Sequence, residues 1–236
     1  VMKFCRLINS IVSNQKVGVF LLMSLMFLLA GCGDDDVEYP TDYRYVEILT
    51  VLKNDKGMIL EKVGINDEEI IKMTTNQWVD ADLERGRRVI AEYSVEADKL
   101  NQRPMPIKLH QMGYIQFDTV KYQPKSVIEN GSCPKIEIIS LWRTGRFINL
   151  QSEVGYDGKS QLYTIVADKM TADQAIVECY LQNKGELVGD NSIYRHSYAS
   201  FYIGEIWDSP TLERVRLYLP SSGNEKYYID IVKNSY

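Results

Sequence analysis

The chain has 236 residues, of which 45% are hydrophobic and 25% are charged, and its formal net charge at pH 7 is −5. This length is enough for one large domain or two small ones. A net negative charge excludes general binding to nucleic acid, which requires a basic surface.

Residues 1–31 have the layout of a bacterial secretion signal. Their basic residues precede an uncharged apolar run from Val17 to Ala30. This run is shorter than the ~20 apolar residues that a membrane-spanning helix requires. A signal peptide that is removed is therefore favoured over a transmembrane anchor.

The apolar run ends in the sequence L-A-G-C, which resembles the bacterial lipobox and occupies Leu29 to Cys32. The resemblance implies that diacylglyceryl is transferred to the Cys32 thiol, that the chain is cleaved before Cys32, and that the new amino terminus is acylated, for example with palmitate. Several acyl chains at ~0.8 kcal/mol per buried CH₂ form a stable anchor. A short transmembrane anchor with a coincidental cysteine is the alternative.

Residues 32–42 are acidic and are predicted to form a flexible tether. Within them, Gly33 followed by Asp34, Asp35 and Asp36 resembles the surface-export signal of Bacteroidota lipoproteins. The resemblance implies a lipid-anchored protein of the outer membrane that faces the outside of the cell. A solvated linker without an export role is the alternative, because most charge runs are only solvated.

Residues 43–125 are predicted to form a first β module. Four segments in it have strand-like composition or alternation: 43–54, 58–63, 85–95 and 107–122. The segment 66–83 is ambiguous, because D-E-E-I-I-K-M could begin a helix and T-T-N-Q-W could form a strand. About five strands in this length suit a small barrel of the OB type.

Residues 126–236 are predicted to form an antiparallel β-sandwich, with the boundary at about Pro124 to Pro134. About seven strand-like segments follow, among them R-F-I-N-L-Q-S-E-V and K-Y-Y-I-D-I-V-K. Short strands at such regular spacing are typical of a sandwich, and Trp142 is expected to pack in its core. The predicted fold class is therefore all-β: a small OB-type barrel followed by an antiparallel β-sandwich.

Two cysteines, Cys133 and Cys179, remain in the predicted mature chain besides Cys32. An exported protein is in an oxidising compartment, where cysteines can pair. A bridge between them would contribute ~4 kcal/mol in the chain-entropy model. Two separate buried thiols are the alternative, since Cys133 lies in a predicted turn and Cys179 in the middle of a predicted strand.

No group of residues in the sequence predicts catalysis, a cofactor or a metal site. His196 and Ser197 would point to opposite faces of a strand, which argues against a Ser-His-Asp site. Zinc would require several closely spaced His or Cys ligands, and the aspartates at 34–36 lack the EF-hand loop pattern. We therefore expect a non-enzymatic protein that uses no cofactor.

Aromatic residues near the C-terminus are the best candidates for ligand contact. One face of a predicted strand carries Tyr194, His196, Tyr198 and Tyr202. The opposite face carries the apolar residues expected in the core, which are Phe201, Ile203 and Trp207. An outward tyrosine face would suit contact with a protein or a sugar. Rings that only cover the rim of the sandwich are the alternative.

The order of several motifs resembles that of NigD-like proteins of Bacteroidota. The lipobox and its aspartates come first, G-R-R-V-I-A-E-Y (86–93) and L-W-R-T-G-R-F-I-N-L (141–150) follow, and tyrosine-rich strands close the chain. The resemblance implies an OB domain before a β-sandwich and a non-enzymatic role, resembling bacteriocin immunity, with an unidentified protein partner. A glycan-binding accessory lipoprotein is the alternative.

A short motif predicts a modification. The triplet D-T-V at 118–120 resembles the O-glycosylation triplet of exported Bacteroidota proteins, and Thr119 would be the acceptor.

Overall fold

The structure is a computed structural model that describes residues 42–54, 57–64, 69–77, 83–129, 137–156, 162–184, 193–220 and 227–233. Strands make up 67% of the structure and helices 7%, so the predicted all-β class is confirmed. The predicted signal peptide, the lipidation site Cys32, the export signal from Gly33 to Asp36 and Cys133 lie outside the described residues. Within those ranges, no helix is long and apolar enough to cross a membrane.

The first half of the described chain forms a six-stranded sheet. Its strands are β1 (Asp42–Asn54), β2 (Met58–Val63), β3 (Ile70–Thr75), β4 (Arg88–Glu96), β5 (Met105–Pro106) and β6 (Lys108–Tyr114). Their spatial order is β5-β3-β2-β1-β4-β6. In the part of the chain that is described, the edge strands β5 and β6 are not hydrogen-bonded to each other, so this sheet is not a closed barrel.

The ambiguous segment 66–83 contains a strand where the structure describes it. Ile70–Thr75 pairs with β2 in antiparallel register, and it buries Met73 and Thr75 while Ile70 and Lys72 are exposed. The helical alternative is therefore wrong for these residues. This segment forms a strand because pairing with β2 buries its alternate side chains and satisfies its backbone hydrogen bonds.

One face of the six-stranded sheet carries a hydrophobic core. Adjacent strands contribute fully buried residues at matching register positions, which include Leu49, Val51, Leu60, Met73 and Val89. Burying a side chain of this kind contributes about 1.5–3 kcal/mol. The same alternation places Arg88 and Ile90 on the opposite face of β4.

The second half forms two sheets of four and five strands. Their strands are β7 (Gln116–Thr119), β8 (Lys121–Gln123), β9 (Glu137–Thr144), β10 (Phe147–Tyr156), β11 (Tyr163–Asp168), β12 (Ile176–Asn183), β13 (Ile193–Tyr202), β14 (Arg214–Leu219) and β15 (Tyr227–Val232). The orders are β7-β13-β10-β9 and β15-β14-β12-β11-β8.

Three short helical segments complete the described structure. A 3₁₀ turn spans Ala97–Lys99, α1 spans Lys125–Glu129 and α2 spans Gly204–Trp207. Ile128 of α1 packs on Val166 and Tyr180, on the side of the five-stranded sheet that faces away from the main core.

The seven segments predicted for the second half correspond to β9–β15, but the sheets differ from the prediction in two ways. Both sheets are mixed, since β7 pairs with β13, β8 with β11 and β14 with β12 in parallel. In addition, β7 and β8 precede residue 125 but belong to these later sheets. The later sheets therefore include two parallel strands from the segment before residue 125. The predicted domain boundary stays a prediction.

The four- and five-stranded sheets share one hydrophobic core. Both sheets contribute fully buried residues, among them Ile148, Leu150 and Phe201 from one and Ile165, Val177 and Leu217 from the other. Leu141 packs against this core, whereas Trp142 lies on the other face of β9, opposite Asn149. The prediction that Trp142 fills this core is therefore wrong, because neighbouring residues of a strand point to opposite faces.

Candidate functional site

Arg88, the first residue of β4, links the six-stranded sheet to the four-stranded sheet. It is 1% exposed. Its Nη1 donates a hydrogen bond to Thr50 Oγ1 at 2.7 Å within its own sheet. Across the boundary, Nη2 donates to Asn149 Oδ1 at 3.1 Å and Nε donates to Ser200 Oγ at 3.2 Å. The guanidinium also lies 4.4 Å from the centroid of the Phe147 ring.

The charge of Arg88 is compensated by neutral groups rather than by an ion pair. Among the residues that the structure describes, no carboxylate lies within ion-pair distance of its guanidinium. Burial lowers the pKa of Arg88 to about 10, and the charge of Glu61 partly opposes this shift. A buried charge without a contacting counterion is costly unless its donors are hydrogen-bonded, which explains why three acceptors surround this side chain.

A cleft with a volume of about 690 Å³ opens between the six-stranded sheet and the later sheets, next to this cluster. Thr50 and Phe147 belong to both the cluster and the cleft wall. The residues that give the cleft its chemical character are Glu61, Val63, Arg146, Phe147, Tyr202 and Asp208. The cleft thus has aromatic, aliphatic and charged walls, the composition that is usual for small-molecule sites.

Two glycines shape the walls of the cleft. A Cβ on Gly204 would lie 2.1 Å from Tyr202 Oη and 2.2 Å from its Cζ, so glycine is required for the ring to lie over the start of α2. Gly145, between β9 and β10, has a φ of +56°, and a Cβ there would lie 3.3 Å from Val63 Cγ1. The positive φ and the close approach both favour glycine.

The charged groups at the cleft are of both signs. Arg146 Nε and Asp208 Oδ1 form an ion pair at 2.9 Å whose side chains are 57% and 50% exposed. Lys233 Nζ donates to the Ser209 carbonyl at 2.8 Å. Glu61 adds a carboxylate from β2. The cleft therefore combines positive and negative groups without a strong excess of either.

The predicted tyrosine face is divided by the structure into two parts. Tyr194 is 67% exposed and His196 is exposed, and the register of β13 places His196 opposite Glu153 of β10. Tyr198 is half-buried and accepts a hydrogen bond from Gln151 Nε2 at 3.1 Å. Tyr202 shares this face but lies at the cleft.

The boundary between the two parts is Ser200, which is fully buried beneath Arg88. The face is therefore open only towards the start of β13 and covered towards its end. The predicted core residues Phe201, Ile203 and Trp207 lie in the shared core, as the alternation indicated.

The described residues form neither a Ser-His-Asp site around His196 nor a cluster of metal ligands. His196 and Ser197 lie on opposite faces of β13, since Ser197 pairs with the buried Ser152. No group of three or more His, Cys, Asp or Glu side chains in the described ranges is arranged to hold a metal ion.

The remaining predicted positions are Cys179 and Thr119. Cys179 is fully buried in the shared core, and burial raises the pKa of its thiol to about 12. Its predicted partner, Cys133, lies outside the described residues, so the disulfide stays a prediction.

Thr119 is exposed at the end of β7, and its backbone N–H donates to Asp118 Oδ1 at 2.9 Å. This exposure leaves the hydroxyl accessible, and its glycosylation also stays a prediction.

A tyrosine ladder on the outer face of the five-stranded sheet was not anticipated. Tyr180 and Tyr218 stack with ring centroids 4.8 Å apart, and Tyr228 packs edge-on against Tyr218 at 5.7 Å. Both stacked tyrosines donate their hydroxyls to Glu178, at 3.1 and 3.2 Å. Lys125 of α1 pairs with the same carboxylate at 2.6 Å. Because the stacked rings face each other, this ladder stabilises the sheet.

No family model and no curated protein matches the sequence, but solved structures have the same fold. A DUF1344 protein of unknown function from Bacteroides vulgatus is 13% identical, with a TM-score of 0.63 over 80% of this chain and 90% of that one. A NigD-like immunity protein from Bacteroides caccae is 14% identical, with a TM-score of 0.54 over 80% and 92%. A candidate lipoprotein from Bacteroides fragilis is 10% identical, with a TM-score of 0.55 over 82% and 99%.

At sequence identities this low, the similarity shows a shared fold and nothing more. The matches span about four fifths of the whole chain. The resemblance to NigD-like proteins that the motif order indicated is thus matched in three dimensions: the chain has the fold of a NigD-like immunity protein and of other Bacteroides proteins.

Proposed function

We propose that the protein is a non-enzymatic binding protein that is anchored by lipid at Cys32 to the outer membrane and faces the cell exterior. The L-A-G-C sequence at the end of an apolar run carries this proposal. The fold shared with a candidate lipoprotein and a NigD-like immunity protein supports it. Its domains would be an OB-like unit and a β-sandwich, and its role would resemble bacteriocin immunity.

The contact surface for a protein partner would be the open part of the tyrosine face. Tyr194 and His196 are exposed there, and Glu153 of the neighbouring strand lies opposite His196. Tyrosine rings provide a rigid apolar contact and a polar hydroxyl, and they are enriched at protein interfaces.

The anchor is tested by metabolic labelling with an alkyne fatty acid. The native chain is expected to incorporate the label, and Cys32→Ala is expected to abolish it while Cys133→Ser leaves it unchanged. Unlabelled native protein would contradict the anchor. Protease shaving of intact cells then tests the surface location, which fails if the chain is cleaved only after lysis.

The partner surface is tested by photo-crosslinking on intact cells. A photoreactive amino acid at position 194 is expected to trap a defined partner. The matched control is position 43, where Tyr43 is 45% exposed on the six-stranded sheet. Equal crosslinking from both positions would contradict a specific contact through the face that contains Tyr194.

A second candidate function is glycan binding by an accessory lipoprotein. The observation in its favour is the combination of exposed Tyr194 and His196 with the carboxylate of Glu153 on one strand face. A glycan array separates the two candidates. Clear binding that Tyr194→Ala removes favours the glycan, whereas an array that Tyr194→Ala does not change, together with a protein crosslinked from position 194, favours the protein partner.

A further inference from the structure

We propose that the cleft between the six-stranded and four-stranded sheets binds a neutral carbohydrate. This site goes beyond the proposed function, because it lies at the covered end of β13 and not on the surface around Tyr194. It is formed by Phe147 and Tyr202 on one side and by Glu61, Arg146 and Asp208 at its margins.

The aromatic wall of the cleft is held in a fixed orientation. One face of the Phe147 ring is covered by the guanidinium of Arg88 at 4.4 Å, and the ring of Tyr202 is tilted against it with a centroid distance of 5.5 Å. Tyr202 in turn lies over Gly204, where a Cβ would not fit. Both rings are half-buried and line the cleft. A fixed ring binds a ligand with little loss of side-chain entropy.

The polar groups of the cleft can both donate and accept hydrogen bonds. Glu61 is half-buried in the wall and has no hydrogen-bond partner among the residues that the structure describes, so its oxygens can accept. Arg146 and Asp208 form an ion pair at the margin of the cleft, and each side chain remains about half exposed. Carboxylates accept and guanidinium groups donate.

The balance of charge selects among ligand classes. The carboxylates of Glu61 and Asp208 repel an anionic ligand such as a phosphate or a carboxylate. The positive charges of Arg146 and Lys233 repel a cationic ligand. A sugar ring is neutral, its hydroxyls both donate and accept, and its C–H face is apolar. These properties match carboxylate, guanidinium and aromatic groups placed around one space.

The dimensions of the cleft agree with this ligand class. Its volume of about 690 Å³ lies within the range of roughly 300–1,000 Å³ that is typical of small-molecule sites. The indole of Trp207 is not available as a stacking platform, because it is almost buried and Arg143 lies 4.1 Å from its ring. The stacking surface is therefore the pair formed by Phe147 and Tyr202.

The test uses the full lipidated chain in detergent and saturation-transfer NMR with maltotriose, cellotriose and xylotriose as probes. At least one trisaccharide is expected to bind, and Glu61→Gln is expected to weaken its binding by about tenfold, because a neutral amide oxygen replaces the charged acceptor. Phe147→Leu is expected to weaken binding similarly. A cooperative unfolding transition in urea establishes that each variant is folded.

The matched control is Glu153→Gln, which changes a carboxylate of the surface around Tyr194 and is expected to leave trisaccharide binding unchanged. Loss of binding in Glu153→Gln with retention in Glu61→Gln would overturn the cleft assignment. The absence of a saturation-transfer signal with all three trisaccharides would also overturn the cleft assignment. Preferential binding of oligolysine or oligoglutamate peptides would do the same. Crosslinking from position 194 is expected to persist in Glu61→Gln, so the failure of this site is distinguishable from the failure of the proposed function.

Discussion

The guanidinium of Arg88 lies 4.4 Å from the centroid of the Phe147 ring, and the two residues belong to different sheets. This contact, together with hydrogen bonds to Asn149 and Ser200, joins the six-stranded sheet to the four-stranded one. A buried cation that is held by neutral oxygens and an aromatic face has a strict geometry, because each N–H must meet its acceptor. The cluster therefore positions the wall of the cleft.

Replacement of Arg88 is expected to destabilise the whole structure. In Arg88→Ala, the acceptors Thr50, Ser200 and Asn149 lose a charged donor inside the protein and a cavity forms, which we expect to cost about 3 kcal/mol. Urea denaturation measures the free energy of unfolding. The control is Arg85→Ala, because Arg85 is an exposed arginine of the same R-G-R-R sequence. This control should change the free energy of unfolding by less than about 0.5 kcal/mol. Equal effects in the two variants would show that Arg88 does not link the sheets.

Substitution of Gly204 is expected to displace the ring of Tyr202. The added Cβ of Gly204→Ala would lie 2.1 Å from Tyr202 Oη, and we expect a cost of about 1–3 kcal/mol. Gly113→Ala is the control, because a Cβ there meets Ile90 Cγ2 at an ordinary 3.5 Å.

A double variant tests the mechanism of this effect. In the Tyr202→Ala background the ring is absent, so Gly204→Ala should cost much less than it does in the native chain. Additive losses of unfolding free energy would mean that the clash with Tyr202 is not the cause.

Cys179 is expected to resist alkylation in the folded protein. It is fully buried, and burial raises its pKa to about 12, so little thiolate forms at pH 8. Mass spectrometry after iodoacetamide treatment should show no modification of Cys179 in the native chain. Denaturation in urea without reductant should make it react. Protection that persists in urea and ends only on reduction would instead demonstrate the bridge to Cys133.

The carboxylate of Glu178 is expected to contribute stability that acid removes. Burial alone would raise its pKa, but hydrogen bonds from Lys125, Tyr180 and Tyr218 outweigh burial and lower the pKa below its ordinary value. A carboxyl whose pKa is lower in the folded state stabilises the protein above the unfolded pKa of about 4.5. This contribution is lost as the pH falls through the lower, folded value.

Glu178→Gln is therefore expected to cost about 1 kcal/mol at pH 7, a modest figure because Lys125 is partly exposed and solvent screens the ion pair. The difference from the native chain should shrink as the pH falls below about 4.5. Urea denaturation at pH 7 and pH 3 measures this. Exposed Glu84→Gln serves as the control and should change stability little at either pH. A difference that is constant with pH would contradict the ionic contribution of Glu178.

Several elements could be read from local patterns. The alternation in R-F-I-N-L-Q-S-E-V and in K-Y-Y-I-D-I-V-K predicted β10 and β15. The apolar set Phe201, Ile203 and Trp207 was assigned to the core, where it lies. These features depend on the two-residue period of a strand, which is a property of the local sequence.

Other features could not be predicted from the sequence. The alternation of residues in a strand defines its two faces, but it does not identify which element packs against each face. The pattern R-R-V-I-A-E-Y places Arg88 and Val89 on opposite faces, and both faces proved to be buried. Trp142 was assigned to the shared core, but the register with Asn149 turns it to the other side.

The sequence by itself determined the all-β class and most of the strands, because these follow from side-chain period and β-propensity over a few residues. The tertiary structure alone decided the parallel pairing of β7 and β8 with later strands, the buried position of Arg88 and the cleft beside it. Each of these depends on residues far apart in the chain, such as Arg88 and Ser200, and their proximity is set by the packing of whole sheets.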